Sequence, residues 1–192
     1  MAASIEHVFS SDGPLSRAVS AYRARPGQVE LANAVDAAIR SDGVLIAEAG
    51  TGTGKTFAYL VPALLSGAKV IVSTGTKTLQ DQLFERDLPM VRDALKSNAS
   101  IALLKGRANY VCHHHLARAQ SEGRLPSRDD ARHLRKIVAF ARNSPSGAPG
   151  QLADVPENAS TWPPVTSTRE NCLGAECAHY GDCFVMKARR QA

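Results

Sequence analysis

The octet Ala49-Gly50-Thr51-Gly52-Thr53-Gly54-Lys55-Thr56 constrains this chain more than any other feature. Glycine at 50, 52 and 54 lets the backbone take positive φ and turn successive N–H groups inward, and a helix starting at the loop's end adds partial positive charge. Such a loop needs a strand before it and a helix after it. Gly43-Val44-Leu45-Ile46-Ala47 reads as a short buried strand and Thr56-Phe57-Ala58-Tyr59-Leu60-Val61 as a helix start. The ligand that suits this cradle is the polyphosphate of ATP, with Lys55 reaching the β- and γ-phosphates and the Thr56 hydroxyl on Mg²⁺. Ala49 stands where the general phosphate-loop pattern has glycine. The plain alternative is a flexible strand-to-helix turn with an incidental lysine, and the flanking signals weigh against it.

Around the loop, Leu31, Val35, Ala38 and Ile39 fall at helical spacing over 28–39, and Ser41-Asp42-Gly43 stops that helix. Lys69 to Thr74 is a second strand candidate, Thr78 to Leu83 a helix, and Ile101 to Leu104 a third short apolar run. Strand, helix, strand, helix, strand implies an α/β fold: a parallel sheet with helices on its faces and a phosphate site at the strands' carboxyl ends. Residues 1–22 are weakly patterned, with a breaker at Ser10 to Pro14. After Lys105 the rhythm is lost, which marks an insertion. Cys112 to Gln120 and Arg128 to Arg142 read as helices, the second carrying Leu134, Ile137, Val138 and Ala141 on one side, and Asn143 to Pro164 as a long loop.

A net charge of +5 favours a polyanionic partner, although a solvated basic face alone could account for it. No run approaches the roughly 18 apolar residues of a membrane span, and a basic-then-apolar leader is lacking, so a cytosolic protein is expected. In a reducing cytosol the four cysteines are metal ligands or plain buried thiols rather than disulfides. Cys172, Cys177 and Cys183 are separated by four and then five residues, with Cys112 far upstream. Structural zinc usually uses C-x₂-C pairs, which this set lacks, whereas an iron-sulfur cube tolerates wider spacing because each thiolate binds its own iron. Spacing leaves cluster, zinc and unligated thiols all open. His113, His114 and His115 cannot all face one metal from a single helix, and a solvated basic face is expected for them.

Taken together, several phrases resemble the iron-sulfur superfamily 2 DNA helicases, in particular the bacterial DinG/YoaA branch related to XPD. They are Arg25-Pro26-Gly27-Gln28, Glu48 to Thr56, Ser73-Thr74-Gly75-Thr76-Lys77-Thr78-Leu79-Gln80-Asp81-Gln82-Leu83, Leu104 to Cys112, Trp162-Pro163, Thr166-Ser167-Thr168 and Asn171-Cys172-Leu173-Gly174. The resemblance implies a RecA-like first motor domain beginning at 23–105 after an N-terminal segment 1–22, a mainly helical cluster insertion at 106–185, and a return to the motor at 186–192. It implies that Cys112, Cys172, Cys177 and Cys183 ligate a 4Fe-4S cluster. It also implies an ATP site completed by Arg25 and Gln28, where the Gln28 amide can pair with an adenine edge. Thr74, Gly75, Thr76 and Lys77 then grip a single strand's backbone, with Lys105 and Arg107 adding phosphate contacts and Tyr110 either stacking on bases or packing inward.

The implied activity is an ATP-dependent DNA helicase, moving 5′ to 3′ on single-stranded and forked DNA in replication-linked repair, with replication or repair proteins as partners and no membrane. These 192 residues hold no Asp-Glu-Ala-His box to anchor Mg²⁺ and activate water. The expectation is therefore an N-terminal fragment, weak in ATP binding and negligible in hydrolysis on its own. Two alternatives stand beside it: a nonenzymatic nucleic-acid or metal-binding module that kept the loop as a relic, and another P-loop NTPase with a zinc insertion.

Overall fold

The computed structural model describes residues 4–123 and 126–192, so the first three residues of the N-terminal segment lie outside it. The chain divides into two compact units, 1–101 and 102–192.

In the first unit, α1 (Ile5–Val8) and α2 (Pro14–Ala18) come from the segment that the sequence leaves weakly patterned. They pack inward: Val8, Phe9 and Leu15 are fully buried, and the Tyr22 hydroxyl donates to the Phe9 carbonyl at 2.9 Å. Two short helices of four and five residues bury too few positions for a period to show. Helix α3 (Pro26–Arg40) begins with proline at its first position, where no N–H is needed. It closes by a Schellman arrangement: Asp42 takes φ 51°, the Gly43 N–H donates to the Ala38 carbonyl at 2.9 Å, and the Asp42 N–H donates to Ile39. Helix α4 (Lys55–Leu65) starts from Gly54 and buries Ala58, Leu60 and Val61 in the core shared with Ala32, Leu83 and Val91.

A continuous helical run follows from Lys77 to Ala94. It consists of α5 (Lys77–Gln82), a π-helical turn (Leu83–Asp87) and α6 (Leu88–Ala94). The wider turn places Asp87 inside, 3% exposed, where the Gln82 amide and the Arg86 guanidinium each donate to it at 2.9 Å.

The expected parallel sheet is not formed. Among the described residues the β pairing is one antiparallel bridge, Val111 with Thr166. The three strand candidates run without strand pairing, and their apolar side chains face outward: Val44 is 93%, Ile46 94% and Ile71 88% exposed. The physical reason is that a helix satisfies its own backbone whereas an extended segment needs a neighbouring strand to do so. Apolar content marks these segments as suited to burial, but it does not supply the partner.

The second unit is built on α7 (His113–Glu122), α8 (Arg128–Asn143), α9 (Trp162–Val165) and α10 (Phe184–Gln191). Leu134, Ile137 and Ala141 form the buried stripe of α8 foreseen from its period, and they meet Leu116, Trp162, Val165, Phe184 and Val185. The long loop before α9 is anchored at both ends of its course. Gly147, at φ 63°, lies so close to the Phe184 ring that a Cβ there would overlap it, and its carbonyl accepts from the Val111 N–H at 2.8 Å. Further along, the Trp162 indole N–H donates to the Pro156 carbonyl at 2.8 Å.

Asp130, 6% exposed in the first turn of α8, ties that helix to the loop. Its carboxylate accepts from Ser127 at 2.7 Å, Ser160 at 2.6 Å and Thr161 at 3.0 Å. No helix among the described residues is long and apolar enough to cross a membrane.

Two measurements check this packing through Trp162, the sole tryptophan. Gly147→Ala forces a strained φ and an overlap with Phe184, and it should destabilise the second unit by about 1–3 kcal/mol in urea titrations followed by tryptophan fluorescence. Hydroxyl donors, Ser160 foremost, then Ser127 and Thr161, hold the Asp130 carboxyl below the usual carboxylate range. Its stabilising effect is therefore fully present above the unfolded value of about 4 and disappears as pH falls through the lowered folded value. Asp130→Asn should remove that acid-dependent arm of the fluorescence titration, and an unchanged arm would assign it to other groups.

Candidate nucleotide loop and thiol-lined cavity

The nucleotide loop is shaped by two left-handed glycines, Gly52 at φ 75° and Gly54 at φ 82°. Thr51 and Gly52 form its exposed tip, and the Thr53 hydroxyl donates to the Gly50 carbonyl at 2.8 Å, closing the turn on itself. Lys55 opens α4, so Thr56 stands in the helix's first turn, where unpaired N–H groups gather. The residues expected around the nucleotide do converge here, but they hold the loop's own oxygens. The Lys55 ammonium donates to the carbonyls of Ala49 and, at 2.6 Å, Gly50. Arg25 donates to the Gly52 carbonyl, and the Gln28 amide, buried at 5% exposure, donates to the Gly54 carbonyl at 2.8 Å. A Cβ at Gly54 would overlap that amide, so glycine is required there on two counts. The Gln28 side chain thus braces the turn from which α4 departs.

Behind the loop, burial pushes the Tyr59 hydroxyl up, with the Thr56 side chain opposing and the Asp87 charge reinforcing the shift. Sequence reasoning missed Asp87, because a buried carboxylate inside a π turn has no periodic signature.

Thr74, Gly75, Thr76 and Lys77 lie where the second extended segment enters α5. Thr76 is the N-cap, its hydroxyl accepting from the Leu79 N–H at 3.3 Å, while Thr74 donates to the Thr76 carbonyl at 3.3 Å. Gly75, Thr76 and Lys77 are exposed. The capping reading of these residues holds, and the exposed ammonium and N–H groups at the same corner are placed to meet an anion.

In the second unit, Cys112, Cys172, Cys177 and Cys183 line one cavity of about 190 Å³, together with Arg107, Tyr110 and His115. All four thiols are free and partly buried. Cys112 is the N-cap of α7; burial pushes its thiol up, backbone N–H groups of His115 and His114 pull it back, and the charges of Cys183 and Cys177 raise it further. Among the described residues no three His, Cys, Asp or Glu side chains gather closely enough to hold a single ion. The donors are instead spread around the cavity wall.

Lys105 and Arg107 border this region. The Lys105 backbone N–H donates to the Tyr110 hydroxyl at 2.9 Å, and Tyr110 is packed inward, 4% exposed. The Arg107 guanidinium donates to the Cys172 sulfur at 2.9 Å, a contact that its expected phosphate role does not include.

The expectation of a solvated histidine face is corrected. His115 is 5% exposed and its Nε2 has no hydrogen-bond partner, an arrangement that costs about 1–3 kcal/mol unless something supplies one. His113 is half-buried, its ring 4.6 Å from Phe184 and 5.9 Å from His179. Burial, then the nearby His179 and Lys187, push its imidazole down, against Asp182. Three consecutive histidines look polar in sequence, but α7 turns them toward the apolar floor formed by Phe184 and Val165.

Residues 27–118 match the DEAD/DEAH box helicase family. The chain is 45% identical over 98% of its length to the ATP-dependent DNA helicase YoaA of Haemophilus influenzae, and 47% identical over 96% of its length to the YoaA of Escherichia coli. The ATP-dependent helicase DinG of Mycobacterium tuberculosis is 36% identical over 88% of the chain. The chain covers 29% of each YoaA protein and 28% of that DinG, so it spans less than a third of their length. By this match and these identities, the chain belongs to the DEAD/DEAH box helicases of the YoaA and DinG type.

Proposed function

We propose that this chain carries the nucleotide loop of an ATP-dependent DNA helicase and, in residues 106–185, a mainly helical insertion that holds a 4Fe-4S cluster. The carrying observation is the loop itself: two left-handed glycines and a helix start, encircled by Lys55, Arg25 and Gln28. In this reading Mg²⁺-ATP displaces the loop carbonyls from Lys55, whose ammonium moves to the β- and γ-phosphates, while Thr56 supplies one Mg²⁺ ligand. Ala49 to Gly54 line the phosphates, and Arg25 and Gln28 brace the loop and reach the base. Thr74, Gly75, Thr76 and Lys77 contact a single strand's backbone, with Lys105 and Arg107 adding positive charge. Translocation runs 5′ to 3′ on single-stranded or forked DNA in replication-linked repair, alongside replication or repair proteins in the bacterial cytoplasm. Hydrolysis needs an acidic box that these 192 residues do not hold, so the chain alone binds Mg²⁺-ATP with negligible turnover.

The four thiols fit an iron-sulfur cube. Donors spread around one cavity match a group whose irons sit at separate corners, each taking its own thiolate, better than they match a single tetrahedral ion. When bound, the cluster would cross-link segments far apart in sequence and supply a one-electron redox centre. Arg107 would offset thiolate charge at Cys172, and the N-terminus of α7 would do so at Cys112.

Loss of one charge-assisted contact predicts that Lys55→Ala weakens Mg²⁺-ATP binding about 10- to 100-fold, measured by calorimetry, with iron content unchanged. Equal affinity for ATP and GTP in the unaltered chain would favour the relic-loop alternative. In a full-length protein bearing this segment, Lys55→Ala should abolish unwinding of forked DNA, and retained unwinding would end the assignment. Anaerobic purification should yield brown protein with iron and sulfide in equal amounts, lost on Cys177→Ser; stoichiometric zinc without iron would replace the cluster by a zinc site.

A further inference from the structure

His115 is the one buried polar side chain whose nitrogen the fold leaves without a partner among the described residues, and it lies on the wall of the thiol-lined cavity. Its position is fixed from two sides. Cys112 caps α7 three residues earlier, so the same first helical turn carries both the thiol and the imidazole. The elements packed against α7 offer nothing polar to Nε2: Val165 of α9 is fully buried, and Leu116 and Leu134 belong to the same apolar cluster. The neighbouring His114 ring meets His115 edge-on, with centroids 5.2 Å apart, and does not satisfy the nitrogen. A fold that buries an imidazole at 5% exposure and withholds a partner leaves the cavity as the direction from which a partner can come.

We propose that His115 donates an Nε2–H hydrogen bond to a sulfur of the cluster held by the four cysteines, as a positioning residue that raises the cluster's reduction potential. This rests on the cluster reading above. Thiolate and sulfide sulfurs are acceptors, and a donor to them stabilises the added electron more than the oxidised state, so its loss moves the potential to more negative values. The role differs from that of the four ligands. Removing the imidazole leaves every thiolate in place.

The test is anaerobic reconstitution of the chain with iron and sulfide, followed by dye-mediated redox titration of the unaltered protein, His115→Leu and His115→Gln. The expected result is equal iron and sulfide in all three, a more negative midpoint in His115→Leu, and recovery toward the unaltered value in His115→Gln, whose amide can donate. Identical midpoints at equal loading would overturn the proposal and make His115 a packing residue. If His115→Leu loses the cluster altogether, His115→Gln decides: a loaded His115→Gln supports the donor, and loss in both variants overturns it. Unaltered protein that takes up no iron and sulfide defeats the cluster reading itself, an outcome distinct from any of these.

Discussion

An extended backbone can satisfy its N–H and C=O groups only through a neighbour, whereas a helix satisfies its own, and this asymmetry shapes both units. Helices α3, α4 and α6 close a core around Leu60, Val61 and Val91 with no help from a sheet. The segments around Val44 and Ile71 keep the composition of buried strands while their side chains stand in solvent. In the second unit the same rule is met by local devices, with carbonyls and N–H groups of Val111, Gly147 and Val165 paired across loops and side-chain hydroxyls collected on Asp130.

The two sites solve opposite electrostatic problems. The loop must attract a polyanion, so it offers N–H groups, a helix N-terminus and the cations of Lys55 and Arg25. The cavity must accommodate four thiols that repel one another once ionised, and it surrounds them with Arg107, the N-terminus of α7 and partly apolar walls. Helix N-termini serve both, at Lys55 and at His113.

Much of this is legible in the residues themselves. Glycine at 52 and 54 announces the left-handed turn, proline at 26 the start of α3, and Ser127 with its acidic followers the start of α8. These are local signals, written within one turn of where they act. The unforeseen features depend on distant partners. Phe9 and Leu15 are core residues because other helices lie over them; His115 is buried because Phe184 and Val165 meet α7; Arg107 finds Cys172 across 65 residues. The segments 43–47 and 69–74 are apolar enough for strands, but pairing is a property of two segments, and one segment cannot declare it.

The contacts that close the nucleotide loop set the terms on which anything enters it. With Lys55, Arg25 and Gln28 already seated on the carbonyls of Ala49, Gly50, Gly52 and Gly54, an arriving anion must trade places with internal acceptors. Measured affinity is then the intrinsic grip diminished by the rarity of the unlatched form, so variants that loosen the latch without touching the phosphates can bind more tightly than the parent.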